Sequence, residues 1–83
     1  MRIKKNIAIR DSGFIFNPDK GESFTSNQIA VEIFNLLKEE KQFEEIIKIV
    51  GGNYHVDQAT LEKDYHDFIA MLEQYNILED GEG

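Results

Sequence analysis

Along the chain the apolar positions first recur every second residue and then, beyond Thr25, at helical spacing. Ile7 and Ile9 flank Ala8, and Phe14 and Phe16 flank Ile15, the period of two expected of half-buried strands. Asp11, Ser12 and Gly13 supply a turn between them. Asn17, Pro18, Asp19, Lys20 and Gly21 fit a type I turn, with Asn first, Pro fixing φ second and Gly able to take a positive φ just beyond. Glu22 to Thr25 is then a short third strand pairing back antiparallel, and Phe24 is expected to join Phe14 and Phe16 on the core face.

Thr25 and Gln28 are spaced as a capping box, and Phe24 with Ile29 as a hydrophobic staple, so a first helix is expected to start there. Ile29, Ala30, Ile33, Phe34 and Leu37 carry its apolar stripe, and Lys38 to Lys41 close it. Phe43, Ile46, Ile47 and Val50 define a second helix with poor N-cap candidates, Glu44 and Glu45 at its positive end, and Gly51 as its expected exit. Asp57 is a good N-cap for the third and longest helix, with Val56 and Leu61 as a staple. Leu61, Tyr65, Phe68, Ile69 and Leu72 form its stripe, which Tyr75 and Leu78 extend, and which is wider than one small core needs. The pattern predicts an α+β fold, a three-stranded antiparallel sheet followed by three helices. It forms one domain over residues 1–83, ordered from about residue 5 to residue 78, with a polar tail from Glu79 to Gly83 expected to fray.

Composition narrows the function. A chain of 83 residues buries only about 60% of the surface it exposes unfolded, which leaves little room for a deep, preorganised cleft. It has no cysteine, hence no disulfide, thiolate metal site or thiol nucleophile, which suits a reducing compartment. No apolar run approaches the roughly 18 residues of a membrane span, and the basic start is not followed by an apolar segment, so the cytoplasm is the expected location. The formal charge of −7 is unevenly spread. Residues 1–20 hold five Lys/Arg and two acids, net +3, and the remainder holds four and fourteen, net −10. That field repels phosphate backbones and favours basic partners.

Candidate chemistry is sparse. His55 and His66 are eleven residues apart with no ligand mate at i+4, and both read as surface histidines rather than metal ligands. Asp64 and Asp67 share a helix face but lack any sign of a cleft that would split their pKa values, so a solvated acidic face is the reading. Ser12, Ser23 and Ser26 lack the strained setting of an activated nucleophile. Gly51 and Gly52 are followed by no phosphate-binding lysine and serine. The six phenylalanines read as core rather than a base-stacking platform, because no basic groove accompanies them. No catalytic residue, metal or cofactor is expected. What remains is binding through shape and backbone: a three-stranded sheet ends in edges, and an edge strand at 22–25 beside the third helix would make a groove for an extended peptide.

The segments Asn6-Ile-Ala-Ile, Gly13-Phe-Ile-Phe-Asn-Pro, Gly21-Glu-Ser-Phe-Thr-Ser-Asn and Ala30-Val-Glu-Ile resemble the pyrroloquinoline quinone biosynthesis protein D family. Glu44-Glu-Ile-Ile, Val56-Asp-Gln-Ala-Thr-Leu-Glu-Lys-Asp, Phe68-Ile and Ile77-Leu continue the resemblance over about residues 5–78. It implies a winged helix-turn-helix-like fold and a non-catalytic peptide chaperone, or precursor-recognition element. Such a domain binds the leader of a ribosomally made precursor by strand addition and presents it to a modifying enzyme, often a radical SAM protein. Carried onto this chain, the implied peptide-binding positions are Glu22, Ser23, Phe24 and Thr25 on the strand, and Asp64, Tyr65, Phe68, Ile69 and Leu72 on the helix. Position 65 is a bulky Tyr where the family usually has a small aliphatic residue, which bears on the width of the groove.

Two other readings share the pattern. A winged-helix DNA-binding regulator would need a basic third helix, where Lys63 is the sole cation, and a wing after that helix, whereas here the strands come first. A structural domain docking on an enzyme without holding a peptide is the second. Nucleic acid and membrane are not expected partners, and a homodimer through the strand edge stays open.

Overall fold

In the computed structural model, residues 2–79 are described, and they form an α+β fold in the order β1 (Arg2–Ile3), β2 (Ala8–Ile9), β3 (Phe14–Asn17), β4 (Glu22–Thr25), α1 (Gln28–Lys38), α2 (Phe43–Asn53), α3 (Gln58–Gln74) and β5 (Leu78–Glu79). The three-stranded antiparallel sheet β2-β3-β4 precedes the three helices as the sequence pattern requires. A second, two-stranded sheet was not anticipated: β1 and β5 pair antiparallel, Arg2 opposite Glu79 and Ile3 opposite Leu78. Glu79 is therefore held, its carboxylate accepting from Arg2 Nε at 2.9 Å, and the fraying expected from residue 79 does not begin there. Residues 80–83 of that expected tail lie outside the described residues.

The core gathers Ile15 of the sheet, Ile33, Phe34 and Leu37 of α1, Ile46 and Val50 of α2, and Leu61 and Leu72 of α3, with Ile77 closing one end. Each large apolar side chain taken fully out of water contributes about 1.5–3 kcal/mol, and this set is what offsets the ordering of so short a chain.

The phase of β3 is opposite to the one expected. Ile15 and Asn17 are buried, whereas Phe14 and Phe16 remain 37% and 36% exposed on the outer face. Ile15 pairs with Phe24, and Phe16 with Ser23, so Phe24 alone of the three phenylalanines turns inward. The buried Asn17 is satisfied locally: its Oδ1 accepts from Asp19 N–H at 3.1 Å and its carbonyl from Lys20 N–H at 3.3 Å, closing the turn into β4.

The helix starts differ in how they are capped. Asn27, not Thr25, caps α1: its side chain accepts from Ala30 N–H at 2.8 Å, and Gln28 donates to the Asp11 carbonyl instead of closing a capping box. Asp57 caps α3 as expected, accepting from Thr60 N–H at 3.2 Å. Gln42 stands before α2 without a side-chain cap, and α2 continues through Gly51 and Gly52 to Asn53 rather than ending at Gly51.

Candidate functional site

The site follows from the position of β4. It hydrogen-bonds to β3 on one side and to no other strand among the described residues. The Ser26 N–H donates to the Gly13 carbonyl at 2.8 Å, which makes 13 and 26 a hydrogen-bonded couple. Antiparallel alternation then directs the backbone groups of Phe24 and Glu22 toward β3 and those of Ser23 and Thr25 toward the open edge. Two N–H and two C=O groups thus face outward in a row, the template on which a further strand can form.

Beside the C-terminal end of this edge lies a cleft of about 470 Å³. Thr25, Ser26 and Asn27 form one wall, and Ile29, Ala30 and Ile33 of α1 form its apolar floor. The opposite wall is α3, through Asp64, Asp67, Phe68 and Met71. Asn27 therefore has two roles, capping α1 and ending the wall, and the cap fixes where the floor begins.

Of the positions expected from the sequence, Thr25, Asp64 and Phe68 meet in this cleft. Glu22 and Ser23 lie exposed on β4, Ser23 with its backbone at the edge. Phe24 is half-buried and stacks on Tyr75, ring centroids 4.8 Å apart. Tyr65, Ile69 and Leu72 are not among the residues lining the cleft. Leu72 is fully buried, Ile69 packs against the core, and the Tyr65 ring meets the edge of Phe43 of α2 at 4.9 Å. The wide stripe of α3 is thus used largely by the core, because α1 and α2 both pack on it. Met71 was missed because it falls outside that stripe, and Ile29, Ala30 and Ile33 because their helical spacing reads equally well as core.

The electrostatics of the cleft are one-sided. Asp64 and Asp67 are exposed, and no Lys or Arg lines the cavity. Lys63 Nζ donates to Asp67 Oδ2 at 2.9 Å, and that bond, with the Asp67 charge, raises the Lys63 pKa above its ordinary value. The Tyr65 hydroxyl is also pushed up, by burial and by nearby Glu44. Both histidines are exposed, and the His66 ring stacks on Phe43 at 5.3 Å. Among the described residues no cluster of three or more His, Cys, Asp or Glu is placed to hold a metal ion, and no helix is long and apolar enough to cross a membrane.

A second depression of about 500 Å³ lies between α2 and the start of α3, lined by Phe43, Ile47 and Leu61 among others. None of its lining residues belongs to a strand.

The sequence profile of coenzyme PQQ synthesis protein D (PqqD) matches residues 13–78. The solved structure of TbiB1 in complex with the TbiA(beta) leader peptide is similar over 100% of this chain and 99% of that one, with 30% identity and a TM-score of 0.81. A lasso peptide synthetase B1 complexed with the leader peptide shares the fold at 16% identity and a TM-score of 0.79, over 95% of this chain and 96% of that one. No curated protein matches the chain.

Proposed function

The chain belongs to the PqqD family, and from that premise we propose that it is a non-catalytic chaperone for the leader of a ribosomally made precursor peptide. The leader adds as a strand to the open edge of β4, lies in the cleft against α3, and is handed to a modifying enzyme, a radical SAM protein, in the cytoplasm. The whole chain acts as one peptide-binding domain. The observation that carries this reading is the open edge at Ser23 and Thr25 beside an apolar-floored cleft. The likeness to TbiB1, a protein solved with a leader peptide, supports it.

Glu22, Ser23, Phe24 and Thr25 supply the receiving strand. Asp64 and Phe68 supply the facing wall, while Tyr65 and Leu72 in the core, and Ile69 packed against it, set the position of α3. Backbone hydrogen bonds then give affinity whatever the sequence, and the side chains that enter the cleft give selectivity. Duplex DNA is disfavoured as the ligand, since Lys63 is the single cation of α3 and is engaged by Asp67.

The test is capture of the tagged chain from its native lysate with mass spectrometry retaining small peptides, followed by titration of the recovered peptide into purified variants. Ser23→Pro removes an outward donor without touching the β3–β4 bonds, and we expect binding at least tenfold weaker with an unchanged circular dichroism spectrum. Phe24→Pro, which strikes an inward donor, should unfold the sheet. If folded Ser23→Pro binds as tightly as the parent chain, strand addition at this edge is wrong. An enzyme recovered with no peptide would instead favour a docking domain.

A further inference from the structure

The α3 wall of the cleft repeats one chemical pair. Asp64 is followed four residues later by Phe68, and Asp67 four residues later by Met71, and all four side chains line the cavity. Residues four apart on a helix stack on one face about 6 Å apart along its axis. Side chains two apart on a strand recur on one face at about 6.7 Å. A strand running along α3 therefore keeps step with the acid-and-apolar pair, and it does so at either copy of the pair.

Charge and burial say what those two strand positions must carry. Phe68 and Met71 are the apolar members of the α3 wall, Phe68 mostly buried and Met71 half-buried, and they line the same cleft as the Ile29 floor. Asp67 is answered by Lys63, whose charge Asp64 also senses, and among the described residues no salt bridge reaches Asp64. No cation lines the cavity, and the chain beyond residue 20 carries net −10. An anionic side chain placed there would meet repulsion at close range, and a cationic one an attraction kept modest by the exposure of both carboxylates.

We propose that the cleft selects extended segments in which a Lys or Arg stands two residues from an apolar side chain, the apolar group lying on Phe68 or Met71 and the cation reaching Asp64 or Asp67. This rests on the peptide-capture reading and specifies its ligand. The two copies of the pair lie three residues, about 4.5 Å, apart along α3.

The probes are three fluorescein-labelled, end-capped ten-residue peptides of alternating Val and Ser, with Lys, Gln or Glu at one position two residues from a central Leu. Fluorescence polarisation with the full chain should rank Lys over Gln over Glu, with about two- to fivefold per step at low salt. The Lys preference should shrink as salt is raised and vanish in Asp64→Asn/Asp67→Asn, two exposed substitutions expected to leave the melting temperature nearly unchanged. Equal or tighter binding of the Glu peptide, or a Lys preference that survives the double substitution, overturns the selection rule while leaving peptide capture standing. Failure of all three peptides to bind at any accessible concentration overturns the rule, while the capture reading stands or falls on the peptide recovered from the lysate and its loss in Ser23→Pro.

Discussion

Gly13 has φ of +99°, and a Cβ built on it would lie 2.1 Å from the Ser26 carbonyl oxygen. The same backbone contact joins the turn before β3 to the residue that follows β4, through Ser26 N–H and Ser26 Oγ donating to the Gly13 carbonyl. Any side chain at position 13 must therefore break the couple that sets which backbone groups face the open edge. Gly13→Ala should cost about 2 kcal/mol or more in urea unfolding, and it should weaken peptide binding beyond what the lost stability explains. Gly21, at φ +67° with open space around it, would suffer the strain without the clash. The need for a glycine at 13 was legible as a turn signal, whereas its closeness to Ser26, 13 positions further on, was not.

Among the elements, the helix ends differ in how plainly the sequence marks them. Asp57 stands alone before its apolar run, so its cap was plain, whereas Thr25, Ser26 and Asn27 form three consecutive candidates before α1. The spacing of Gln28 from Thr25 pointed to the first of them, but the extended backbone of β4 runs through Thr25 and leaves Asn27 as the turn residue. Asn27→Ala should destabilise the chain by about 1 kcal/mol in thermal or urea unfolding, and Thr25→Ala by well under half of that. The strand phase was misread in a similar way. Phe-Ile-Phe-Asn offers apolar residues on both faces, and only the buried Asn17, satisfied by its own turn, decides that the Ile face turns inward. For α3, by contrast, the stripe was correctly located. What the sequence could not show is that α1 and α2 together would use most of it, leaving Phe68 and the unremarked Met71 at the cleft.

For the whole molecule, the sheet order and the order of helices were legible because each follows from local period. The β1–β5 sheet was not, because two-residue strands carry no period and their partners stand 77 positions away for Arg2 and Glu79. Ile3 is nevertheless buried, Lys4 N–H donates to the Ile77 carbonyl at 2.9 Å, and β1 lies against α1. Ile3→Ala should therefore cost about 2–4 kcal/mol in denaturant unfolding, while the peptide-binding edge, built on β4, keeps its affinity once the protein is folded. The pairing of Arg2 with Glu79 also brings the two ends of the described residues together, nearly a closed ring. A ring has no obligatory beginning: joined by a short glycine-rich bridge, it could be reopened at the exposed Glu39–Glu40 corner between α1 and α2, and the fold could equally be spliced as a cassette into a surface loop of a larger enzyme, entering and leaving through one narrow doorway.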